Sequence, residues 1–367
     1  MDRSGEEIKP SQYMLLIPGF LSGSLLILAF FSNLAKQDSW IIVLFSVPII
    51  LPFLALYVYV SKKFPGKSLI EIHEIVYGKV AGRIISALYV FFFLSLLSFN
   101  IRDMSVFYTS AIMLETPPVV FMVATTALCA YAVKKDIKVI ARVSAAVFIL
   151  LMIALFFTVV LLLGDLRFDN ILPIFELPAD KFVQALVIMS FVPFGEIILF
   201  LMVTPYIKDY KKLGRYSLGG LCIAALVYLL VIIRNTTVLG AAGNYFALPS
   251  YQSVQMINIG EFLNRVELFI ALNQTASLFI KISILYFATV NALNQIMRLK
   301  SKRAIVIPIG AIAVIYALVA HPSEVDHAEW GAKHAAFFEL PFVAVLPLFT
   351  LMIIIIRKLP RKKELLK

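Results

Sequence analysis

Ten long apolar segments dominate this sequence and limit what the chain can become. Each is close to the roughly 20 helical residues needed to cross a hydrocarbon core about 30 Å thick. Lipid offers no partner to unpaired backbone groups, and the segments lack the ten-residue alternation of barrel strands, so each is predicted to be a helix. The predicted spans are residues 12–35, 40–61, 83–110, 117–133, 140–163, 182–207, 214–239, 265–297, 304–320 and 337–356.

The composition excludes a water-soluble fold. Hydrophobic residues make up 61% of the 367 residues and charged residues 15%, whereas soluble domains are about half apolar and a quarter charged. The net charge of +11 could indicate a phosphate-bearing partner. The basic residues lie mainly in alternate loops, however, which is typical of membrane proteins. We therefore expect the lipid bilayer as a partner and no nucleic acid.

The positions of Lys and Arg predict the orientation. With the N-terminus inside, 25 of the 33 basic residues fall in inside segments and 4 in outside loops. This asymmetry favours ten spans with both termini in the cytoplasm. The N-terminus has neither the basic start nor the cleavage site of a signal peptide, so the first apolar segment is expected to remain as a spanning helix.

Two predicted spans carry helix-breaking residues near mid-membrane. The first contains Pro18-Gly19-Phe20 and Ser22-Gly23-Ser24, and the sixth contains Pro193-Phe194-Gly195-Glu196. Proline removes a backbone donor and glycine adds freedom, and a broken helix in a membrane is tolerated only where protein or water satisfies the freed groups. We therefore predict that helices 1 and 6 are discontinuous.

The two breaks are five spans apart, which indicates an inverted repeat of five plus five helices. The repeats cover about residues 12–163 and 182–356, within one transmembrane domain of residues 1–367.

Transporters of this kind bind substrate between their discontinuous helices. Half-helix N-termini attract a carboxylate and freed carbonyls can hold an ammonium, so the predicted site suits an amino acid. Two kinked helices without a ligand are the alternative. The predicted ligand-binding residues are Gly19, Ser22, Gly23, Ser24, Ser95, Phe99, Pro193, Phe194, Gly195, Glu196, Ser277 and Lys281.

Charged residues inside spans are costly and need a partner or a function. Glu196 could hold a proton, pair with a cation or stabilise the unwound turn. Lys281 could replace a coupling cation with its fixed ammonium, or pair with a carboxylate for packing. One helical stripe carries Glu267, Gln274, Ser277 and Lys281. An outer gate or helix-end network is predicted for Arg102, Asp103, Arg265 and Glu267.

No motif indicates catalysis. GxSxG, HExxH and phosphate-binding Walker sequences are absent, so we expect no enzyme activity and no cofactor. Cys129 and Cys222 lie in apolar runs and are expected to be inert. His321, His327 and His334 could hold a metal, but a solvated loop or interfacial helix is the favoured interpretation, and no metal is predicted.

The chain resembles the B-subunit family of bacterial spore germinant receptors, the GerAB type, within the amino acid–polyamine–organocation superfamily. The resemblance extends over essentially the whole chain. It rests on I-K-P-S-Q at 8–12, Gln37-Asp38-Ser39-Trp40, F-G-E at 194–196, T-P-Y-I-K-D at 204–209, Pro249-Ser250-Tyr251, Arg265-x-Glu267 and Lys281-x-Ser283 followed by Tyr286. The chain departs from the family at Phe30-Phe31, where members tend to have proline, and at Ala271–Gln274, where they often have tryptophan.

This resemblance implies an all-α integral membrane protein with a LeuT-like fold. It implies a receptor subunit that binds a small nutrient germinant, often an amino acid, in the spore inner membrane, together with an A-type membrane subunit and a C-type lipoprotein. An amino-acid or amine permease, with or without proton coupling, is one alternative. A subunit that keeps the transporter fold but has lost its ligand is the other, because fold does not settle function.

Overall fold

The structure, a computed structural model, describes residues 7–256, 267–321 and 323–360. Within them the regular secondary structure is helical apart from one isolated extended bridge. The first half contains α1 (Pro10–Ser22), α2 (Leu28–Ala35), α3 (Ser39–Lys63), α4 (Leu69–Tyr77), α5 (Lys79–Ala111), α6 (Pro118–Lys134) and α7 (Ile137–Leu161). The second half contains α8 (Ala179–Phe191), α9 (Leu213–Leu239), α10 (Pro249–Gln255), α11 (Glu267–Met297), α12 (Arg303–Val319), α13 (Glu324–Lys333), α14 (Ala335–Leu340) and α15 (Leu346–Ile356).

Seven helical segments of the described chain are long and apolar enough to cross a membrane. The number becomes eight if α12 and α13, which are bent by 93° to one another, count as one span. The prediction of a multi-pass, all-α membrane protein is therefore confirmed. All ten predicted segments are at least partly helical, but α6 and α12 have 17 residues each, at the short end for spanning. The number of ten spans thus stays a prediction.

The predicted breaks differ in detail from those observed. Pro18 and Gly19 lie inside α1 and do not interrupt it; the first helix instead tightens into a 3₁₀ segment over Gly23–Ile27 before α2 begins. The predicted Ser22-Gly23-Ser24 coincides with the start of this 3₁₀ segment, whereas the neighbouring helix accommodates Pro18 without a break. The carbonyl of Met14, which Pro18 cannot satisfy, faces Gly220 of α9 at a distance that leaves no room for a side chain.

The sixth helix is interrupted close to where the sequence predicts. α8 ends at Phe191, residues 192–194 form a turn, and a 3₁₀ segment runs over Gly195–Met202. In the observed segment Ala179–Met202, 89% of the most apolar stretch is buried. Such burial allows irregular backbone at membrane depth.

The interrupted helices lie at the centre of the bundle. α1 packs against α7, α9 and α11, and the 3₁₀ segment Gly195–Met202 packs against α3 and α11. The middle of α11 is buried on every face, as Leu278, Ile282 and Phe287 show, which identifies it as an interior helix. Large apolar side chains on the outside of the bundle, such as Phe156 and Phe157 of α7, are exposed instead.

The loops richest in Lys and Arg gather at one end of the bundle, which we call the basic end. Here the amide of Gly66 donates to Tyr210 Oη (2.9 Å), and Lys302 pairs with Asp136 (2.8 Å). The basic end is sealed by the isolated bridge: Ile8 N donates to Tyr206 O (2.8 Å) and Lys208 N donates to Ile8 O (3.4 Å). Residues 36–38, 168–171, 240–245 and α13 meet at the opposite end.

Candidate functional site

A cavity of about 450 Å³ extends from the two helix interruptions toward the end of the bundle opposite the basic end. This volume is within the usual range for small-molecule sites. Its floor is formed by Ser24, Glu196, Lys281 and Glu339. Its walls include the apolar side chains of Leu96, Phe99, Val106, Phe107 and Val192, and its mouth includes Tyr245 and α13. The arrangement combines an apolar lining with a few converging polar groups, as ligand sites do.

An ion pair joins the two interruptions. Lys281 Nζ of α11 lies 2.6 Å from Oε2 and 2.9 Å from Oε1 of Glu196, which follows the break in the sixth helix. The same ammonium donates a hydrogen bond to Ser24 Oγ in the first interruption and lies 5.4 Å from the centre of the Phe20 ring. Both charged side chains are 3% exposed, so their attraction is little screened by solvent.

A second buried carboxylate, Glu339 of α14, lines the same floor. It is 1% exposed, and its Oε2 atom has no hydrogen-bond partner among the described residues. The floor therefore holds two carboxylates and one ammonium. The sequence analysis missed Glu339, although it is an acidic residue inside a predicted span, which marks a functional candidate.

Both interruptions are fixed by close packing. A side chain at Gly23 would meet Lys281 Cβ at 2.6 Å, and one at Gly195 would meet Val343 Cγ1 at 2.7 Å, so glycine is required at both positions. Backbone carbonyls nearby accept hydrogen bonds from tyrosines: Tyr228 Oη donates to Leu21 O (2.9 Å), and Tyr57 Oη donates to Val343 O. Buried backbone groups at membrane depth need such partners.

Val343 belongs to a π-helical turn over Pro341–Val345, between α14 and α15. Such turns within helices are frequent at functional sites. Tyr89 of α5 donates to the carbonyl of Phe342 (2.7 Å) in the same turn. Since Glu339 lies two residues before the turn, its position depends on this packing.

α13 covers the mouth of the cavity and is held by α5. Asp103 Oδ1 lies 2.8 Å from His327 Nε2, and the hydroxyl of Thr109 donates to Glu324 (3.0 Å). The centres of the Phe99 and Trp330 rings are 4.5 Å apart. These side-chain contacts hold α13 against α5 over the cavity.

The structure brings only part of the predicted ligand set to the cavity. Ser24, Phe99, Glu196 and Lys281 line it. The remaining predicted positions are not among its lining residues: Gly19, Ser22, Gly23, Ser95, Pro193, Phe194, Gly195 and Ser277. Of these, Gly19 packs against Ser144, Ser95 donates to the carbonyl of Phe91 (2.9 Å), and Ser277 lines a smaller pocket. Positions next to a break need not point into the cavity, because they also pack helices together.

Of the residues predicted to form an outer gate, the structure places only some at the cavity. Asp103 lines the cavity, whereas the buried Arg102 donates to the carbonyl of Ala317 (3.2 Å). Arg265 and the side chain of Glu267 lie outside the described residues.

The loop histidines form no metal site in the described chain, where no group of three or more His, Cys, Asp or Glu could hold an ion. His321 and His327 are ring neighbours, with centres 4.9 Å apart. Burial, and then the neighbouring charges of His327 and Arg102, lower the pKa of His321 to about 4. His321 is therefore neutral at neutral pH.

The sequence profile of the family described as "Spore germination protein" matches residues 7–325. The chain belongs to this family. Its members include Spore germination protein KB of Bacillus subtilis (strain 168), which is 25% identical over 357 residues, covering 96% of this chain and 95% of that protein. Spore germination protein B2 of the same organism is 23% identical over 334 residues, or 89% of each chain. The predicted family is thus confirmed.

Solved structures show the fold of this family member. Mhp1, a nucleobase-cation-symport-1 family transporter in a closed conformation with bromovinylhydantoin bound, has a TM-score of 0.77 at 12% identity, covering 99% of this chain and 82% of that one. MhsT in complex with L-phenylalanine has a TM-score of 0.58 at 11% identity, covering 94% and 97%. The predicted LeuT-like fold is therefore confirmed at the level of overall architecture.

Proposed function

We propose that this spore germination protein is the B subunit of a germinant receptor and binds a small ammonium-bearing nutrient, an amino acid, in the 450 Å³ cavity. The observation that carries the proposal is Glu339, a buried carboxyl group on the same cavity floor as the Glu196–Lys281 pair, whose Oε2 atom has no hydrogen-bond partner among the described residues. Leaving a buried polar atom without a hydrogen-bond partner is costly. A ligand ammonium would supply the missing partner.

In this proposal the ligand ammonium contacts Glu339, and the apolar part of the ligand contacts Leu96, Phe99 and Val192 on the cavity wall. The Glu196–Lys281 pair then holds the two interruptions together beneath the ligand. Such a site prefers cationic or zwitterionic nutrients over neutral sugars or anions, since the floor carries one more acid than base.

The proposed topology has ten spans in two repeats of five, over about residues 12–163 and 182–356, with both termini in the cytoplasm. It is supported by the two interruptions in the first and sixth helices. It is also supported by the gathering of the Lys- and Arg-rich loops at one end of the bundle, which the positive-inside rule assigns to the cytoplasm. The cavity then opens to the outside of the spore inner membrane.

Signalling requires that the ligand bind one conformation better than another. A hundredfold preference would contribute about 2.7 kcal/mol. The two states proposed are the present one, with the basic end sealed by the Ile8–Ile207 bridge, and one in which that seal opens. An A-type membrane subunit and a C-type lipoprotein would detect the change, and the chain itself would catalyse no reaction.

The experiment that tests the site compares two glutamate variants in spores. Glu339→Gln removes the buried carboxylate, whereas Glu329→Gln removes an exposed one on α13. Loss of a charge-assisted hydrogen bond corresponds to about tenfold or more in ligand concentration. We expect Glu339→Gln to raise the amino-acid concentration for half-maximal germination by that factor, and Glu329→Gln to leave it unchanged. Equal responses of both variants and the parent would refute the site.

A second experiment tests the partners. The chain is tagged at its C-terminus and purified gently from membranes of sporulating cells. Recovery of an A-type membrane subunit and a lipoprotein would support the receptor, whereas a solitary chain would contradict it.

A proton-coupled amino-acid or amine permease is the second candidate. It is favoured by the fold shared with solute transporters and by the two carboxylates on the cavity floor. Accumulation of an amino acid in vesicles containing the purified chain, abolished when the proton gradient is dissipated, would establish this function. The large cavity argues against a third candidate, a subunit that has lost its ligand.

A further inference from the structure

Arg234 of α9 is a buried cation away from the large cavity. It is 3% exposed. Its Nη2 and Nε atoms donate to Asn235 Oδ1 (2.9 and 3.3 Å), and Nη1 donates to Thr158 Oγ1 of α7 (3.0 Å). These bonds use three of the five guanidinium N–H groups, so two remain to be satisfied.

The charge of Arg234 is not balanced by the residues that the structure describes around it. No carboxylate in the described part of the chain forms an ion pair with the guanidinium. Hydroxyl and amide oxygens satisfy hydrogen bonds but carry no net charge. Since arginine stays protonated in proteins, the region around Arg234 retains one positive charge inside the bundle, which is unfavourable without a counter-ion.

A small pocket of about 40 Å³ lies against Arg234. One water molecule needs about 10–15 Å³, so there is room for a monatomic anion but not for a nutrient. The pocket is lined by apolar Leu25, Leu151, Leu155, Val231 and Ile270 and by polar Arg234, Ser250, Asn273, Gln274 and Ser277.

Three polar atoms of this pocket lack a partner among the described residues. They are Ser277 Oγ, Gln274 Nε2 and Asn273 Oδ1, all on α11. Ser277 and Gln274 can donate hydrogen bonds, and the Asn273 amide can donate as well if it is turned around, since its two ends are assigned rather than seen. Donors and a guanidinium therefore converge on one small space.

We propose that this pocket binds a small monovalent anion, chloride, held by Arg234, Gln274 and Ser277. Water could satisfy the hydrogen bonds but would leave the positive charge unbalanced, and a metal cation would be repelled by it. The apolar walls suit a weakly hydrated monovalent ion better than phosphate or sulfate, which are also too large. This site is separate from the nutrient cavity and does not depend on the function proposed for it.

The anion site is adjacent to the machinery of the large cavity. Ser277 precedes Lys281 by four residues on α11, about one helical turn, so both lie on the same face. Leu25 follows Ser24, which accepts a hydrogen bond from Lys281. Chloride bound here would therefore stabilise the first interruption in the arrangement that the ion pair requires.

The test is thermal unfolding of the purified full-length chain in detergent, in sodium chloride against sodium gluconate at equal ionic strength. At about a hundredfold excess over Kd, chloride should raise the melting temperature by about 3–4 °C, from mass action and the unfolding entropy of a chain of this length. Bromide should replace chloride, and sulfate should not. Identical melting curves in chloride and gluconate would overturn the proposal.

Two variants localise the effect. Arg234→Gln should abolish the difference between chloride and gluconate, whereas Arg298→Gln, which removes an exposed guanidinium at the basic end, should retain it. If Arg234→Gln does not fold, Ser277→Ala is the substitute and should weaken chloride binding severalfold. A chloride effect that persists in the Arg234 variant, or a chloride Kd that is unchanged in the Ser277 variant, would refute the assigned position.

Discussion

The ion pair between Glu196 and Lys281 offers the sharpest quantitative prediction. Breaking a buried pair by removing one partner costs about 3–5 kcal/mol, because the remaining charge stays buried. Both side chains are 3% exposed, so this range applies. For 367 residues at about 2.1 cal/mol/K per residue, it corresponds to a fall in melting temperature of about 4–7 °C. Lys281→Met should show this fall, and so should Glu196→Gln.

The double variant separates pairing from packing. Replacing both partners removes the uncompensated charge, so Glu196→Gln combined with Lys281→Met should be clearly more stable than the sum of the single effects predicts. The matched control is the exposed pair of Lys333 and Glu329, with side chains 60% and 53% exposed. Its single variants should change stability by at most about 1 kcal/mol.

The assay is the temperature at which the purified chain loses its monodisperse peak on size-exclusion chromatography. Additive effects of the Glu196 and Lys281 variants, or single effects no larger than those of the exposed pair, would refute the conclusion that these charges depend on one another.

Three further results are expected. Gly195→Val should abolish ligand binding with membrane insertion intact, because its Cβ would lie 2.7 Å from Val343, while Gly164→Val, with open space around it, should bind normally. Lys281→Ala should weaken the ligand response or make it depend on sodium, and an unchanged response at all sodium concentrations would contradict a cation-replacing role. Burial lowers the pKa of His73 in α4 from 6.5 to about 3. Between these two values the imidazole is protonated in the unfolded chain and neutral in the folded chain. The free energy of unfolding therefore falls as pH drops below about 6.5. Between pH 7 and pH 5 the free energy of unfolding of His73→Asn should therefore fall by about 2 kcal/mol less than that of the parent. An equal fall in melting temperature for the variant and the parent over this pH range would refute this.

Sequence alone predicted the helical spans well, because apolar segments of this length have few structural options in a membrane. It also located the sixth-helix interruption within a few residues, since Pro193 and Gly195 act locally. Pro18 shows the limit: its effect is absorbed by Gly220, which is about 200 residues away in the chain.

The sequence could not predict which buried side chains pair with one another, because a local pattern does not show which distant residues meet in the fold. Lys281 and Glu196 could each be recognised as buried charges, but they are 85 residues apart, and periodicity within one helix cannot show which charges meet. Glu339 was overlooked near the start of the last span. The sequence also could not predict which way each side chain beside a break points: Ser24 faces the large cavity, while Leu25 faces the small pocket.

The bridge between Ile8 and Ile207 consists of main-chain atoms only. Its hydrogen bonds do not depend on side-chain type, whereas the buried side chains of Ile8 and Ile207 restrict both positions to residues that fit the core. Proline alone lacks the amide hydrogen, and a proline at position 8 would remove the shorter of its two bonds.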